Sequence, residues 1–448
     1  MPVIDERQVR AACAFNQHLN VPQSTPRDPG SDEAGLPAIL ADVQTTADRP
    51  LCESHTLPAA AYTSEAFYRW EERHVLRAGW QCVAHVSQLP SAGDFVTLDL
   101  LGEPLIVVRD KDQRVRVLSR TCPHRGMDIM PPGFGHGPAE SRGGVPDCGH
   151  TRLFLCPYHS WTFDLDGRLK ACPEMHEASG FQRGEWGLRD FRSEVWHGFI
   201  FVNLDGSAPQ TPSEEWAGFS EHLEKWAAQD LVVVDARAWD CPFNWKVIVE
   251  NFMESYHHVG AHSQSLQPMM PARGTWTEEE RAHFIRCHLP YGEKERGAIA
   301  DAEAAGGARE IFPLIPGLDE RSRFEWGLTL GFPNWLLAYV PDCLIWYRVQ
   351  PEGPHRHKLL TTLLVPRAVT QLPDFAERLE RMTAASVGFH LEDMEMCVGV
   401  QRGYYASGYQ RGRLSHLEMP IWLFQRYLGA RARGTWPTHD RPPAPSQR

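Results

Sequence analysis

The chain has 448 residues, 42% of them hydrophobic and 23% charged, enough for two or three domains around a sizeable core. Its net charge of −12 argues against nucleic acid or an anionic membrane surface as the main partner. Eleven cysteines fall short of a disulfide scaffold at this length; several sit near histidines, which points to metal chemistry in a reducing compartment. The start, M-P-V-I-D-E-R-Q-V-R, carries early acids and no apolar segment, and no long apolar run follows, so the expectation is a cytoplasmic protein with neither signal peptide nor membrane span.

Residues 1–57 read as an arm: a short helix over 5–19, then a Pro/Gly/Ser/Asp-rich linker that cannot bury a core. Helical spacing over Ser64–Arg77 follows, with Ser64 as N-cap. From Trp80 the period changes to alternation. F-V-T-L-D-L, E-P-L-I-V-V-R-D and V-R-V-L-S-R read as strands of a small antiparallel β domain ending near Phe191. G-F-I-F-V-N-L (198–204) is a buried strand, followed by a helix over Glu214–Ala228 and a strand over Leu231–Trp239. Asn244–His262 reads as one amphipathic helix bearing Glu254, His257 and His262. Taken alone, it leaves a histidine-rich core helix and a metal site equally open. Thr277–Arg323 reads as a flexible cover with helical pieces. Four strand patterns between Gly327 and Pro366 form a second, larger sheet. Helices over Phe375–Gly403 and Pro420–Ala432 precede a Pro-rich tail, 435–448.

Two loops carry the sharpest chemistry, Cys122-Pro-His124 and Cys156-Pro-Tyr-His159. One thiolate and one imidazole per loop can hold a [2Fe–2S] cluster, the cysteines on one iron and the histidines on the other. A structural zinc site would instead place a cysteine pair before a histidine pair.

T-C-P-H-R-G (121–126) and C-P-Y-H-S-W-T-F-D-L-D-G-R-L (156–169) resemble the Rieske motif of ring-hydroxylating-type oxygenase α subunits. The resemblance runs from about residue 58 to 430. It implies an α+β fold: a small antiparallel β Rieske domain (58–191) and a catalytic domain (192–434) whose antiparallel sheet is covered by helices, helix-grip and START-like. It implies a [2Fe–2S] cluster on Cys122, His124, Cys156 and His159. It also implies a mononuclear Fe(II) on His257, His262 and Asp393, with O2 as cosubstrate, and leaves His258 as a polar neighbour. Glu254 takes the place of the acid that bridges the iron's histidine to a cluster histidine of the next subunit, and Asn251 that of an asparagine near the iron. An NAD(P)H-dependent reductase and a homotrimer follow from the same resemblance. Thirty-one residues, 125–155, separate His124 from Cys156, more than the family usually has, and Cys148 and His150 in this insertion read as surface residues. Glu392 and Glu395 read as solvated helix charges. Trp335, Tyr339, Trp346 and Tyr347 are pocket candidates whose default role is core packing.

The resemblance implies an enzyme, a Rieske mono- or dioxygenase. Glu254 leans it toward the choline, glycine betaine and carnitine monooxygenase branch, acting on a quaternary ammonium compound. An aromatic ring-hydroxylating dioxygenase acting on an aromatic acid is the alternative, and a Rieske electron carrier without catalysis is the non-enzymatic one.

Overall fold

The computed structural model describes residues 35–130, 147–304 and 311–435. The expected helix over 5–19 and the tail from 436 lie outside them. α1 (Leu36–Ala47) opens the described chain, in a segment where the sequence predicts only an arm. It buries Ile39, Val43 and Ala47 against the C-terminal helix Met419–Ala432. A Cβ on Gly429 would lie 2.3 Å from that of Ala47, so glycine is what lets the two helices touch. The helix owes its stability to this packing rather than to its short sequence.

α2 (Glu65–Glu71) starts at Ser64, whose hydroxyl accepts from the Phe67 N–H at 3.1 Å, and runs on as a π-helical turn to Leu76. β1 (Gln81–His85) precedes the predicted alternating strands, β2 (Asp94–Leu100), β3 (Glu103–Arg109) and β4 (Val115–Ser119). The end of the long insertion forms a strand, β5 (Asp147–His150), rather than a loop. It pairs with the edge of β2, giving the order β4-β3-β2-β5. Cys148 and His150 are exposed there, and the His150 ring bonds to Asp94. β6 (Phe154–Leu155), β7 (Thr162–Phe163) and β8 (Leu169–Ala171) make a second small sheet behind the second cysteine loop. β9 (Arg192–Trp196) and β10 (Phe199–Asn203) pair with β1, so chain on both sides of residue 191 shares one sheet.

The larger sheet has seven strands: β11 (Leu231–Cys241), β12 (Trp276–Thr277), β13 (Phe284–Pro290), β14 (Glu325–Gly331), β15 (Trp335–Val340), β16 (Cys343–Gly353) and β17 (Arg356–Pro366). Their order is β11-β17-β16-β15-β14-β13-β12, antiparallel throughout. β13 corrects the reading of 277–323 as flexible cover; its F-I-R-C-H-L alternation lies inside a polar, charged stretch. The expected helix over Glu214–Ala228 is broken into Pro212–Glu215 and Ser220–Lys225. Three helices cover the inner face of the sheet: α3 (Trp245–Met253), α4 (Phe375–Tyr404) and α5 (Met419–Ala432).

The two-residue period of the strands divides two cores. Leu336, Ala338, Ile345, Tyr347 and Leu363 join the core under α3 and α4, while Trp335, Leu337, Tyr339, Trp346 and Leu364 pack on the opposite face. Of the four aromatic pocket candidates, therefore, only Tyr347 faces the helices. Among the described residues no helix is long and apolar enough to cross a membrane.

Candidate metal centres

The two cysteine loops share one backbone design. Cys122 N–H donates to Met127 O and Cys156 N–H to Trp161 O, both at 2.8 Å and five residues ahead. Gly126 and Ser160, four residues after each cysteine, donate back to its carbonyl with positive φ, 74° and 60°. Each turn buries its thiol and swings its histidine outward: Cys122 and Cys156 are buried, whereas His124 and His159 are partly exposed. The two imidazoles meet edge to face at 4.7 Å between centroids. The indole of Trp161 lies flat on His124 at 4.8 Å, and Tyr158 leans on His159 at 3.8 Å. Burial and the neighbouring Cys156 push the Cys122 thiol up to about 11. Among the described residues the buried His159 Nδ1 has no hydrogen-bond partner, an orphan polar atom that fits a metal ligand.

The second centre sits where the expected long helix stops. α3 begins at Asn244, whose carboxamide accepts from Lys246 N–H and whose own N–H reaches Gln401 of α4 at 2.8 Å. It ends at Met253, not His262. Glu254 is extended (φ −117°, ψ 157°), and its carboxylate accepts the N–H groups of Tyr256 and His257. A side chain satisfying those donors replaces the next helical turn, and a short 3₁₀ turn, Tyr256–Val259, follows. The histidines therefore converge through this bend and not through a helix period. His257, His262 and Asp393 of α4 bring one ligand atom each to within 4.8 Å of one another. His262 Nε2 is 2.9 Å and His257 Nε2 is 3.4 Å from Asp393 Oδ1. Asn251 donates to that same oxygen at 3.1 Å. His258 points elsewhere, with Nδ1 at 3.2 Å from Met270 O.

The back side of each imidazole is held by a carboxylate. His257 Nδ1 lies 2.7 Å from Glu254 Oε1 and His262 Nδ1 lies 2.6 Å from Glu392 Oε2. Glu392 also accepts from Ser265 at 2.6 Å, which corrects its reading as a free helix charge; Glu395 is exposed as expected. The sequence signal for Glu392 is its place next to Asp393. Its partner, 130 positions upstream, is what the sequence hides. Burial alone would lower the His257 pKa, but the bonds to Asp393 and Glu254 override it and raise it to about 10. Burial alone would raise Asp393, yet the two histidines hold it well below the usual carboxylate range. This donor set favours positive charge at its centre. Two imidazoles backed by carboxylates plus one carboxylate match a divalent iron ligated on one face only.

A cavity opens on that free face, walled by Phe252, Trp326, Tyr347 and Phe389. Comparisons with known proteins bear on both centres. A Rieske [2Fe–2S] domain profile matches residues 79–189, and a ring hydroxylating α subunit (catalytic domain) profile matches 228–434. The chain belongs to the Rieske oxygenase α-subunit family. The two matched domains imply a [2Fe–2S] cluster and a mononuclear iron. The chain is 32% identical to the carnitine monooxygenase oxygenase subunit of Acinetobacter baumannii over 46% of its length and 52% of that relative's. The chain thus spans about half the length of this curated relative. The glycine betaine monooxygenase oxygenase subunit of Chromohalobacter salexigens is 25% identical over 81% of this chain and 82% of its own. The solved structure of a quaternary ammonium Rieske monooxygenase shares the fold, with a TM-score of 0.70, 22% identity, and coverage of 87% of this chain and 98% of the other.

Within this Rieske oxygenase α subunit, Glu392 yields a direct test. Glu392→Ala is expected to weaken iron binding at the second centre by about 10–100-fold, the usual cost of losing a carboxylate behind a ligating histidine. Glu392→Gln should cost less, because its amide oxygen still accepts from Nδ1. Anaerobic iron titration reads both, and an unchanged affinity in the alanine variant would remove Glu392 from the site.

Proposed function

We propose that the chain is the oxygenase component of a cytoplasmic Rieske-type oxygenase that hydroxylates a small quaternary ammonium compound with O2 and electrons from an NAD(P)H-dependent reductase. Cys122, His124, Cys156 and His159 hold the cluster, and His257, His262 and Asp393 the iron. When bound, the cluster supplies single electrons and the iron activates O2. The observation that carries this reading is the three-ligand convergence at the floor of an aromatic cavity. Four aromatic rings line that cavity, and neither lysine nor arginine is among its lining residues. Such walls attract a cation and repel nothing cationic. They also accept an aromatic ring by stacking, so ring hydroxylation is the second reading. A bare electron carrier has no use for the triad.

This chain's own residues divide the remaining work. Asn251 and the two histidines fix Asp393 Oδ1. The apolar cavity walls hold the substrate over the open face and limit water. Glu254 holds His257 through Nδ1, and among the described residues no hydrogen bond joins it to either cluster histidine of its own chain. A homotrimer in which Glu254 meets the next subunit's cluster accounts for that. Exposed apolar side chains beside both centres support it: Leu155, Tyr158 and Trp186 near the cluster loops, Tyr256 and Val259 near Glu254. Glu254→Gln is expected to keep both metals, because its amide oxygen still accepts from His257 Nδ1, while slowing single-turnover re-oxidation of the reduced cluster by about tenfold, because the NH2 group cannot accept from a second imidazole. An unchanged rate removes the bridging role.

The function itself is tested by oxygen-dependent turnover with a surrogate reductase. A panel of betaines and aromatic acids is offered, and products are read by mass. Oxygen incorporation into a quaternary ammonium compound is the expected result. Oxygenation of aromatic acids alone would select the second reading, and no oxygenation of either class would leave the carrier.

A further inference from the structure

Among the described residues that line the cavity over the triad, Met270 alone carries sulfur. Met270 follows the short helical turn Leu266–Met269, and its N–H donates to Leu266 O at 2.7 Å. Its carbonyl accepts from His258 Nδ1 at 3.2 Å, and the His258 ring lies 5.0 Å from His257 and 5.4 Å from His262 between centroids. One hydrogen bond therefore separates Met270 from a ring packed on both histidine ligands. Met270 is fully buried, and Leu266 and Leu289 line the cavity with it.

Two other methionines serve as internal references. Met394 follows Asp393 in sequence, yet it does not line the cavity, and its sulfur lies 3.8 Å from that of Cys241. Met396 of α4 is 43% exposed to solvent. A thioether is readily oxidised to a polar sulfoxide. An oxidant in bulk solution meets Met396 first, whereas an oxidant formed inside the cavity meets Met270 first.

We propose that Met270 is a modification site of the oxygenase: when O2 is reduced with no substrate in the cavity, the hydrogen peroxide formed there converts the Met270 thioether to its sulfoxide. This rests on the reading that the triad holds redox-active iron. O2 takes two electrons, which the reductase supplies, and two protons to give H2O2. The sulfur lone pair then attacks one peroxide oxygen. An S–O bond forms, the O–O bond breaks, and the other oxygen leaves with both hydrogens as water; sulfur is oxidised by two electrons. The product places a polar, chiral group in an apolar wall, beside the carbonyl that holds His258, and a methionine sulfoxide reductase is needed to restore it. Turnover without substrate thus marks the chain at one residue.

The test uses the full chain with both metals loaded, reduced with dithionite and freed of the excess. It is mixed, without substrate and with catalase present, with O2 enriched in the heavy isotope. Catalase removes peroxide that escapes to solution. Peptide masses, with fragment ions that separate Met270 from Met269, are then read. One heavy oxygen atom is expected on Met270 at a level at least about tenfold above that on Met396 or Met394. Zinc in place of iron at the second centre fills the site without redox chemistry and should bring the Met270 label down to the Met396 level. Equal labelling of Met270 and Met396, label on Met394 in its place, no label on Met270, or a label that persists with zinc would overturn the proposal. If the same preparation oxygenates a member of the substrate panel while Met270 stays unlabelled, this inference falls alone. If the second centre binds no iron, it falls together with the reading above.

Discussion

Replacing Asp393 by alanine is expected to empty the second centre of iron and abolish oxygenation while the visible spectrum of the cluster persists. Asp393 is the only carboxylate among the three converging ligands, and both histidines and Asn251 bond to the same oxygen. Without it two neutral imidazoles remain, and a hard divalent iron loses its one anionic ligand. Outer partners of a ligand cost about 10–100-fold in metal affinity, so a ligand itself should cost at least the upper figure. The cluster loops form a separate set of turns on β-hairpin scaffolding and share no hydrogen bond with the triad among the described residues. Iron analysis, cluster absorbance and turnover measured on one preparation check this. Turnover in the alanine variant, or a parallel loss of cluster absorbance, would show that the assignment of Asp393 is wrong.

The second large effect concerns folding. Lys246 of α3 and Glu71 of α2 are fully buried and paired at 2.8 Å. Burial pushes the Glu71 carboxyl up and the Lys246 ammonium down, each opposed by the other's charge. The ammonium sits 5.2–5.5 Å from the ring centroids of Tyr62, Phe67 and Trp245, and Trp245 Nε1 donates to the same carboxylate. The pair fastens the helix that leads into the small domain to the helix that leads to the triad. Lys246→Met alone strands a buried carboxylate and should cost about 3–5 kcal/mol. Glu71→Leu combined with Lys246→Met removes both charges and should recover most of that loss, since apolar replacements of buried ion pairs are often neutral. Urea denaturation of the single and double variants measures it. A single variant as stable as the parent, or a double variant no better than the single, would refute the account.

Much of the site was legible because its chemistry is written in short local patterns. C-P-H and C-P-Y-H each close a turn of six residues, so local hydrogen bonds alone set thiol inward and imidazole outward. The apolar patterns over 94–119 and 325–366 reported real strands, and the near-continuous apolar runs of β14 to β16 reflect burial on both faces. The reading failed where the cause was not local. α1 carries too narrow an apolar stripe to be recognised apart from the groove on α5 that it fills. β13 is masked by the charges of its polar surroundings and exists as a strand because β14 pairs with it along its length. The helix expected over Asn244–His262 was continued past Met253 because its period continues, whereas the Glu254 carboxylate captures the next two N–H groups and bends the chain.

The sequence by itself determined the two candidate sets of metal donors, their order along the chain and most of the strands around them. Spacing and residue type are enough to specify ligands that act within a turn. The tertiary structure alone decided which carboxylates serve the histidines. Glu254 and Asn251 lie close to the triad in sequence, but Glu392 reaches His262 only because α4 returns across the sheet. It also decided which aromatic residues face the iron cavity, through strand register. Contacts between elements far apart in sequence depend on packing, and no local period encodes them.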